Sequence, residues 1–429
     1  MTSPMDRWRD YDRTIISLGY DAARRERAEQ NAADYTAKLR DGTAWRLFGE
    51  AIAKLGPMIA ESGFAKDDRD LAEGHRYLMG LVAARIDAVL YACGPDRPAF
   101  VRGMDDIIKI GLDNPDGINS FSARIDGHRR YRISGRAGGE RYVEFVQFGA
   151  KGTLANHYLH DFTIGADGRF ELTLDTQSTP GNWLQLHPDT QGMFVRLIQY
   201  DWNTALTDLQ IEHLGDGDTY ECLAVPRPEW VGEELESLAD TLVNEVAFWL
   251  DYTRSFAEAG DNRIAGEQPL AVSGKSAVRA APKGMFALPP DEALLLEFDP
   301  PGGLFWSVAL GDMWFRSIDP SHRQSSLNGH QAAIDPDGRY RFVIAHEDPG
   351  FANWLDTAGH ARGCMTFRYV KTDSRPPATA TVVKVADLDR LLSDAPRVTA
   401  DERAATLAAR ARGFARRYAA PFTSRWNDL

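Results

Sequence analysis

An internal repeat is the sequence feature that most limits the folds this chain can adopt. One ordered series of residues occurs twice at nearly equal spacing. Fifteen residues separate Asp from Asn in the first copy and sixteen in the second. The two series are Asp167-Gly168-Arg169-Phe170, Asn182-Trp183-Leu184 and Arg196, and then Asp337-Gly338-Arg339-Tyr340, Asn353-Trp354-Leu355 and Arg368. Self-similarity of this kind indicates a repeated structural unit, for which gene duplication is the economical explanation.

Each copy has the pattern of a β-hairpin. An Asp-Gly pair supplies the positive-φ turn that reverses a chain, and apolar residues then alternate as in a strand with one buried face. The alternating residues are Phe170, Leu172 and Leu174 in the first copy, and Tyr340, Phe342 and Ile344 in the second. We therefore predict two related antiparallel β-sandwich modules. Trp183 and Trp354 would anchor the two cores, with ligand stacking as the alternative, and the preceding asparagines would tie loop backbone.

The rest of the chain is mainly helical in pattern. Apolar residues return every three or four positions before residue 100 and again from Glu229 to Ala259. Residues 260 to 290 are rich in Gly, Pro, Ala and Ser and lack an apolar period. The predicted α+β organisation is a helical region (1–112), a first β module (113–228), a helix (229–259), a linker (260–290), a second β module (291–385) and a C-terminal helix (386–429).

The stripes that predict helices in the first hundred residues are Trp8, Tyr11, Ile15 and Leu18; Trp45, Phe48, Ile52, Leu55 and Ile59; and Leu71, Leu78, Val82, Ile86 and Val89. Thr399 and Glu402 form a capping-box pattern at the start of the C-terminal helix. The arginines of that helix are expected to form a solvated face.

Composition limits the classes of binding partner and the cellular compartment that we expect. The formal charge of −13 disfavours nucleic acid and anionic membranes, and the first residues lack the apolar run of a signal peptide or membrane helix. Cys93, Cys222 and Cys364 are far apart and odd in number, which favours reduced thiols in a cytoplasm. We expect a cytoplasmic protein with a small-molecule ligand or substrate, no nucleic-acid partner and no membrane insertion. A homo-oligomer is compatible with the sequence.

Two segments resemble a known family. They read NWLQLHPDTQGMFVRLIQYDW and, more closely, RQSSLNGHQAAIDPDGRYRFVIAHEDPGFANWLDTAGHARGCMTFRY. Both resemble the bacterial family known as domain of unknown function 1214, and EGHRYLMGL and DNPDG look like the upstream part of its longer members. The resemblance spans most of residues 70 to 370. It implies a β-sandwich, jelly-roll-like fold, and it brings no assigned reaction, cofactor or catalytic residue.

Polar residues that differ between the copies are the better functional candidates, because duplicated folds keep their frame and specialise their loops. In the first copy, Tyr158, His160 and Asp161 stand just before a strand and combine a phenol, an imidazole and a carboxylate. His157 and His160 form an HxxH pattern, which is a weak indication of a metal site. No clear third or fourth ligand stands nearby in the sequence. We therefore predict no metal.

In the second copy, Asp356 precedes His360 by four residues and could orient its imidazole as a general base. The alternative is that both satisfy loop backbone groups beside Trp354. Arginines in or beside the predicted strands could hold a carboxylate, sulfate or phosphate, or pair with internal acids. These arginines are Arg196, Arg362 and Arg368.

No sequence motif for a cofactor is present: Gly274-Lys275-Ser276 lacks the upstream glycine of a P-loop, and no GxSxG nucleophile elbow occurs. The first hypothesis is a cofactor-independent acid/base enzyme of the lyase, hydratase, isomerase or hydrolase type. It would use His360, Asp356, His160 and Asp161 on a small aromatic, lipid-like or sugar substrate in a cleft between the modules. The alternative is a non-catalytic carbohydrate- or lipid-binding β-sandwich protein, and an assembly protein ranks last.

Overall fold

The computed structural model describes residues 22–90, 94–102, 104–111, 115–150, 152–215, 226–265, 279–280, 282–372, 374 and 376–418. The helices are α1 (Ala22–Gln30), α2 (Ala32–Arg40), α3 (Thr43–Glu61), α4 (Asp68–Leu90), α5 (Pro228–Arg254), α6 (Leu388–Leu391) and α7 (Ala400–Arg417). None of these described helices has the length and apolar character needed to cross a membrane.

The remaining described chain contains nineteen strands. Those of the first half are β1 (Val101–Arg102), β2 (Gly117–Arg124), β3 (Tyr131–Arg136), β4 (Tyr142–Gly149), β5 (Gly152–Tyr158), β6 (Arg169–Asp175), β7 (Trp183–Gln185), β8 (Gly192–Ile198) and β9 (Asp208–His213). Those of the second half are β10 (Arg263–Ala265), β11 (Arg279–Ala280), β12 (Lys283–Ala287), β13 (Glu292–Phe298), β14 (Phe305–Gly311), β15 (Ser326–Asn328), β16 (Tyr340–Ala345), β17 (Trp354–Asp356), β18 (Arg362–Val370) and β19 (Thr379–Lys384).

The two β modules have the same strand order. In module 1, sheet 1A runs β1-β2-β8-β4-β5 and sheet 1B runs β7-β6-β3-β9. In module 2, sheet 2A runs β10-β12-β18-β14-β15, with β11 also on β18, and sheet 2B runs β17-β16-β13-β19. Neighbours are antiparallel except β6 with β7 and β16 with β17, which are parallel in both modules. The predicted α+β fold with two related β modules is confirmed.

The register of the strands also repeats. Glu144 lies opposite Arg196 across β4 and β8, and Ser307 lies opposite Arg368 across β14 and β18. On the other side of β4 and β14, Glu144 faces Tyr158 and Ser307 faces Asn328. Positions of the two modules can therefore be compared residue by residue.

The repeated sequence elements have the same structural role in both modules. Gly168 and Gly338 both have φ of 83°, a conformation that a side chain disfavours. Asn182 donates to the Thr163 and Glu171 carbonyls, and Asn353 donates to those of Ala333 and Arg341. The asparagines thus tie loop backbone, as the sequence predicts.

Each module buries one core between its two sheets, because alternate strand residues point inward. Val143, Phe145 and Leu197 of sheet 1A share a cluster with Ile133 and Leu172 of sheet 1B. The corresponding residues of module 2 include Val308, Phe367, Leu296, Phe342 and Ile344.

Helices α3, α4 and α5 pack on the outer face of sheet 2A. Ile59 of α3, Tyr77 of α4 and Val246 of α5 share a cluster with Met285 and Cys364 of that face. The buried Arg85–Glu245 ion pair joins α4 to α5. Helices α3, α4 and α5 contain the predicted stripes, whereas the stripe from Trp8 to Leu18 lies outside the described residues.

Two parts of the predicted organisation need correction. Segment 260–290 contains β10, β11 and β12, because Met285 and Phe286 give β12 two buried faces against β18. Segment 386–429 begins with the short helix α6 rather than one long helix, and α7 starts at Ala400. The capping box predicted for α7 is present, since Thr399 Oγ1 accepts from the Glu402 N–H at 3.2 Å.

The modules meet through the outer faces of sheets 1A and 2A. Tyr142 and Phe305 occupy equivalent positions, and their rings pack edge to face at 6.0 Å between centroids. Ile198 and Val370, also equivalent, complete the same apolar cluster. The junction is therefore formed by the same positions of both modules, as in a twofold contact.

Candidate functional site

A buried carboxylate lies at the junction of the modules. Asp116, just before β2, is 1% exposed. Its Oδ1 accepts from Trp202 Nε1 at 3.0 Å and from Asn328 Nδ2 of module 2 at 2.7 Å. Its Oδ2 has no hydrogen-bond partner among the described residues. Asp116 thus joins the modules through one oxygen and leaves the other unpaired.

Burial raises the pKa of Asp116 to about 6, although hydrogen bonds from Asn328 and Trp202 and the charges of Arg417 and Arg410 oppose this shift. A carboxyl group with this pKa changes charge close to neutral pH. The group can therefore donate or accept a proton under ordinary conditions.

Gln199 lies beside this carboxylate. Its backbone N–H donates to the Asp116 carbonyl at 2.8 Å, and its side-chain Nε2 donates to the Thr204 carbonyl at 3.0 Å. The buried Oε1 of Gln199 has no partner among the described residues. The Gln199 side chain, which lies beside Thr204 within module 1, is thus a second buried acceptor that is unpaired.

Helix α7 adds two buried cations. The guanidinium groups of Arg410 and Arg417 lie over the Trp202 ring at 4.2 and 4.5 Å from its centroid. Burial lowers the pKa of both groups, to about 9 for Arg410. The expected solvated face of arginines is wrong for three of them, because Arg403, Arg410 and Arg417 are buried against the modules.

A second polar cluster lies on the outer face of sheet 1A. Glu144 is fully buried and accepts from Arg196 at 3.0 Å, from the Tyr158 hydroxyl at 3.1 Å and from Asn156 at 2.8 Å. Lys371 of module 2 lies over the Tyr158 ring at 3.5 Å from its centroid. The structure thus brings the predicted binding residues Arg196 and Tyr158 together around Glu144, beside module 2.

The predicted catalytic residues His160 and Asp161 border this cluster. They form a short turn after β5, where His160 has 48% of its side chain exposed and Nε2 lies 3.6 Å from Asp161 Oδ1. The rings of Tyr158 and His160 are 5.4 Å apart. Asp161 also accepts from the Tyr158 N–H at 3.3 Å, so it caps the turn.

The other predicted binding residues are more dispersed. Arg368 is buried on sheet 2A opposite Ser307, and Arg362 is half-buried where β18 begins. Trp183 and Trp354 lie on the edge strands β7 and β17 of sheets 1B and 2B. The Trp183 indole donates to the Asp175 carbonyl at 2.9 Å, and the Trp354 indole donates to the Ala345 carbonyl at 3.0 Å. The hydrogen bonds of the two indoles are thus equivalent and fix the position of each ring.

His360 and Asp356 share a loop but have different partners. The Asp356 carboxylate pairs with Arg323 at 2.9 Å and accepts from the Ala358 N–H. His360 Nε2 lies 3.0 Å from Glu73 Oε1 of α4. The carboxylate that orients His360 is therefore Glu73, not the predicted Asp356, because α4 packs onto this loop.

Both ring nitrogens of His360 face acceptors. Nδ1 lies 2.7 Å from the Thr357 carbonyl and 3.1 Å from Arg69 Nη2, and the shorter contact places a proton on Nδ1. Burial raises the pKa of Glu73, but the hydrogen bond and charge of His360, with Arg316 and Arg69, outweigh it and lower this pKa to about 2. This geometry favours an ion pair that anchors α4 to module 2.

Metal ligands are not grouped in the described part of the chain, where no set of three or more His, Cys, Asp or Glu side chains could hold an ion. The buried groups at the junction instead offer hydrogen-bond acceptors and guanidinium donors. Such groups suit an organic molecule with oxygen functions.

Sequence reasoning did not identify Asp116, Gln199, Glu144, Arg410 or Arg417 as candidate site residues. A signal existed for the arginines of α7, since residues seven apart on a helix share a face. Asp116 carried no such signal, because its contact with Asn328 joins residues 212 positions apart.

Comparison with known proteins confirms the closer of the two sequence resemblances, that of the second segment. Residues 290–374 match the family model described as "Protein of unknown function (DUF1214)". The chain carries a DUF1214 domain. This domain corresponds to most of module 2 and contains strands β13 to β18.

One solved structure supports the fold around the DUF1214 domain. An uncharacterized protein from Burkholderia cenocepacia is similar over 82% of this chain and 100% of its own, with 29% identity and a TM-score of 0.75. The VPA0106 protein from Vibrio parahaemolyticus matches 71% of this chain and 98% of its own, with 11% identity and a TM-score of 0.41. Among curated proteins, none matches this chain.

Proposed function

We propose that this protein binds a small, hydroxylated organic molecule at the junction between its two β modules. The observation that carries the proposal is the buried acceptor Asp116 Oδ2, which lacks a partner among the described residues. Leaving such a group unpaired costs about 1–3 kcal/mol, and more when it is charged. A bound molecule with hydroxyl or N–H donors removes that cost.

The junction also has the other features of a ligand site. Aromatic surface around the polar groups comes from Trp202, Tyr200 and Phe305. The Tyr200 hydroxyl accepts from the backbone N–H of Trp306 at 3.2 Å. Binding sites commonly combine apolar walls with a few fixed polar groups, and they often lie between domains. Both modules contribute here, because Asn328 of module 2 holds Asp116 of module 1.

The test begins with native mass spectrometry of the purified protein, followed by calorimetric titration with glycerol, glucose and glucuronate. We expect a co-purified compound or saturable binding of at least one hydroxylated probe. Asp116→Asn keeps an oxygen for Trp202 and Asn328 but replaces the unpaired oxygen with an N–H donor. We expect at least tenfold weaker binding in this variant.

Asp394→Asn is the matched control, because Asp394 is exposed. It should bind each probe like the unaltered protein. The proposal fails if no compound co-purifies and no probe binds, or if Asp116→Asn binds as tightly as Asp394→Asn.

Acid/base catalysis at the same junction is the second candidate. The pKa of about 6 at Asp116 favours it, since an efficient general acid or base titrates near the working pH. Incubation with a bound compound would then yield a chemically altered product with the unaltered protein and none with Asp116→Asn. Recovery of the unchanged compound from both the unaltered protein and Asp116→Asn would contradict catalysis and leave binding as the function.

Two broader expectations belong with this proposal. The matching strand order and register support gene duplication of one jelly-roll-related unit. A cytoplasmic location is supported by buried Cys364, which is a free thiol. Titration of three free thiols in unfolded protein prepared without reductant would support it, whereas a disulfide would contradict it.

A further inference from the structure

Helix α7 presents a row of buried arginines to the two modules. Arg403, Arg410 and Arg417 follow one another at intervals of seven residues, about two helical turns, and therefore lie on one face. All three are buried. Burying a guanidinium in protein is unfavourable unless hydrogen bonds and an opposite charge compensate it.

The three arginines differ in how far they are compensated. Arg403 forms an ion pair with Asp348 at 2.9 Å. Arg410 donates to neutral groups, namely the Pro320 carbonyl at 3.0 Å, Ser326 at 2.9 Å and Gln331 at 3.3 Å.

Arg417 is the least satisfied of the row. Its Nη2 donates to the Pro115 carbonyl at 2.7 Å, but Nε and Nη1 have no partner among the described residues. The side chain is 0% exposed, so bulk water does not solvate these donors. Arg417 therefore has two buried N–H donors without a partner in the described chain, near the charge of Asp116 in the same junction.

Other charged groups surround Arg417. Arg102 pairs with Asp106 at 3.6 Å, and Lys109 donates to the Asp105 carbonyl. Lys109 also lies over the Tyr418 ring at 4.0 Å from its centroid. Asp116 faces both Arg410 and Arg417, and Asp319 also faces Arg410. The groups that stay without a partner on Arg417, among the residues described, are therefore its Nε and Nη1 donors.

We infer that the ligand of the junction carries an anionic oxygen group, a carboxylate or a phosphate, which binds the free guanidinium edge of Arg417. This inference rests on the proposed function. Arg417 would receive the anion while Asp116 accepts from a hydroxyl group of the same molecule. The ligand class is then a hydroxylated acid, such as a sugar acid or a sugar phosphate.

Glucose, glucuronate and glucose 6-phosphate are suitable probes because they share a ring and differ in charge. We expect glucuronate or glucose 6-phosphate to bind at least tenfold more tightly than glucose in calorimetric titrations. Preference for the carboxylate or for the phosphate distinguishes the two anionic sources. Arg417→Gln should lose this preference, and Arg417→Lys should retain part of it.

Arg412→Gln is the matched control, since Arg412 is exposed on the same helix. It should keep the preference for anions. If Arg417→Gln fails to fold, ion chromatography of denatured unaltered protein replaces it, and an equimolar released anion is the expected result.

Binding of glucose as tight as that of both anions, with no anion released, would overturn the anionic class and leave the proposed function intact. Absence of binding by all three probes, with no compound released, would count against both proposals. An experimental structure with Arg417 paired to a carboxylate of the chain itself would also overturn the anion site.

Discussion

Sheets 1B and 2B have the same strand order and register, yet their outer faces differ in what covers them. On sheet 2B, Leu388 and Leu392 of the following segment cover an apolar part of this face, beyond which Glu297 and Arg341 form an ion pair at 3.0 Å. On sheet 1B the equivalent face is charged, with Arg132 paired to Glu171 and Glu212 at 3.2 and 3.1 Å. The inward residues of each strand thus define the frame, and the outward residues decide what packs on it.

The same contrast holds for the sheets that meet at the junction. Sheet 1A places the Glu144–Arg196 pair where sheet 2A has Ser307 and Arg368. The outer face of sheet 2A also receives helices α3, α4 and α5, through Met285 and Cys364. A repeated frame thus supports different surroundings, because single positions differ in charge and size.

Replacing each repeated tryptophan tests whether burial, rather than position in the frame, sets its contribution. Trp354 is 7% exposed beneath the covering segment, whereas Trp183 is half-buried on the open face. We expect Trp354→Ala to lower the free energy of unfolding by about 3–5 kcal/mol and Trp183→Ala by roughly 1–2 kcal/mol. Urea unfolding followed by circular dichroism measures both, and equal losses would contradict the comparison.

Exchanging a residue of sheet 1A for its counterpart in sheet 2A sharpens the second contrast. Glu144→Ser removes the carboxylate that Arg196, Tyr158 and Asn156 share. We expect a loss of about 2–4 kcal/mol in the free energy of unfolding, because Arg196 loses its charged partner. Ser307→Ala, the control in module 2, should cost clearly less. A Glu144→Ser variant as stable as the unaltered protein would show that the cluster does not stabilise module 1.

Local features of both modules follow from the sequence. The Asp-Gly turns, the asparagine ties and the helical stripes depend on residues close together in the chain. Their geometry repeats, as the matching φ angles of Gly168 and Gly338 show. Short-range chemistry therefore predicts the repeated modules and most helices of the described chain.

The junction could not be predicted in the same way. The Asp116–Asn328 contact spans 212 positions and the Glu73–His360 contact spans 287. Such pairings depend on how whole elements pack, which local patterns do not specify. Strand β12 was missed for a related reason, because Met285 and Phe286 are buried on both faces and show no alternation.

Acid should weaken the attachment of helix α4, a support that only module 2 receives. Because the Glu73 pKa is lowered from 4.5 to about 2 in the folded protein, its stabilising contribution is complete above pH 4.5. The contribution is lost as the pH falls towards 2. We expect roughly 2–3 kcal/mol to be lost over this range. Denaturation midpoints at pH 6 and pH 3 measure it, with Glu73→Gln as the variant that should lose less.

The repeated turn is where the two modules should not differ. Gly168 and Gly338 have the same positive φ, and an added Cβ would have its nearest contact at 3.4 Å in the first and none within 4 Å in the second. The cost of Gly→Ala is therefore backbone strain alone, about 1–2 kcal/mol at each site. Urea unfolding of Gly168→Ala and Gly338→Ala should give equal losses within error. A difference larger than about 1 kcal/mol would show that the turns carry unequal shares of stability, and the frame itself would then differ between the modules.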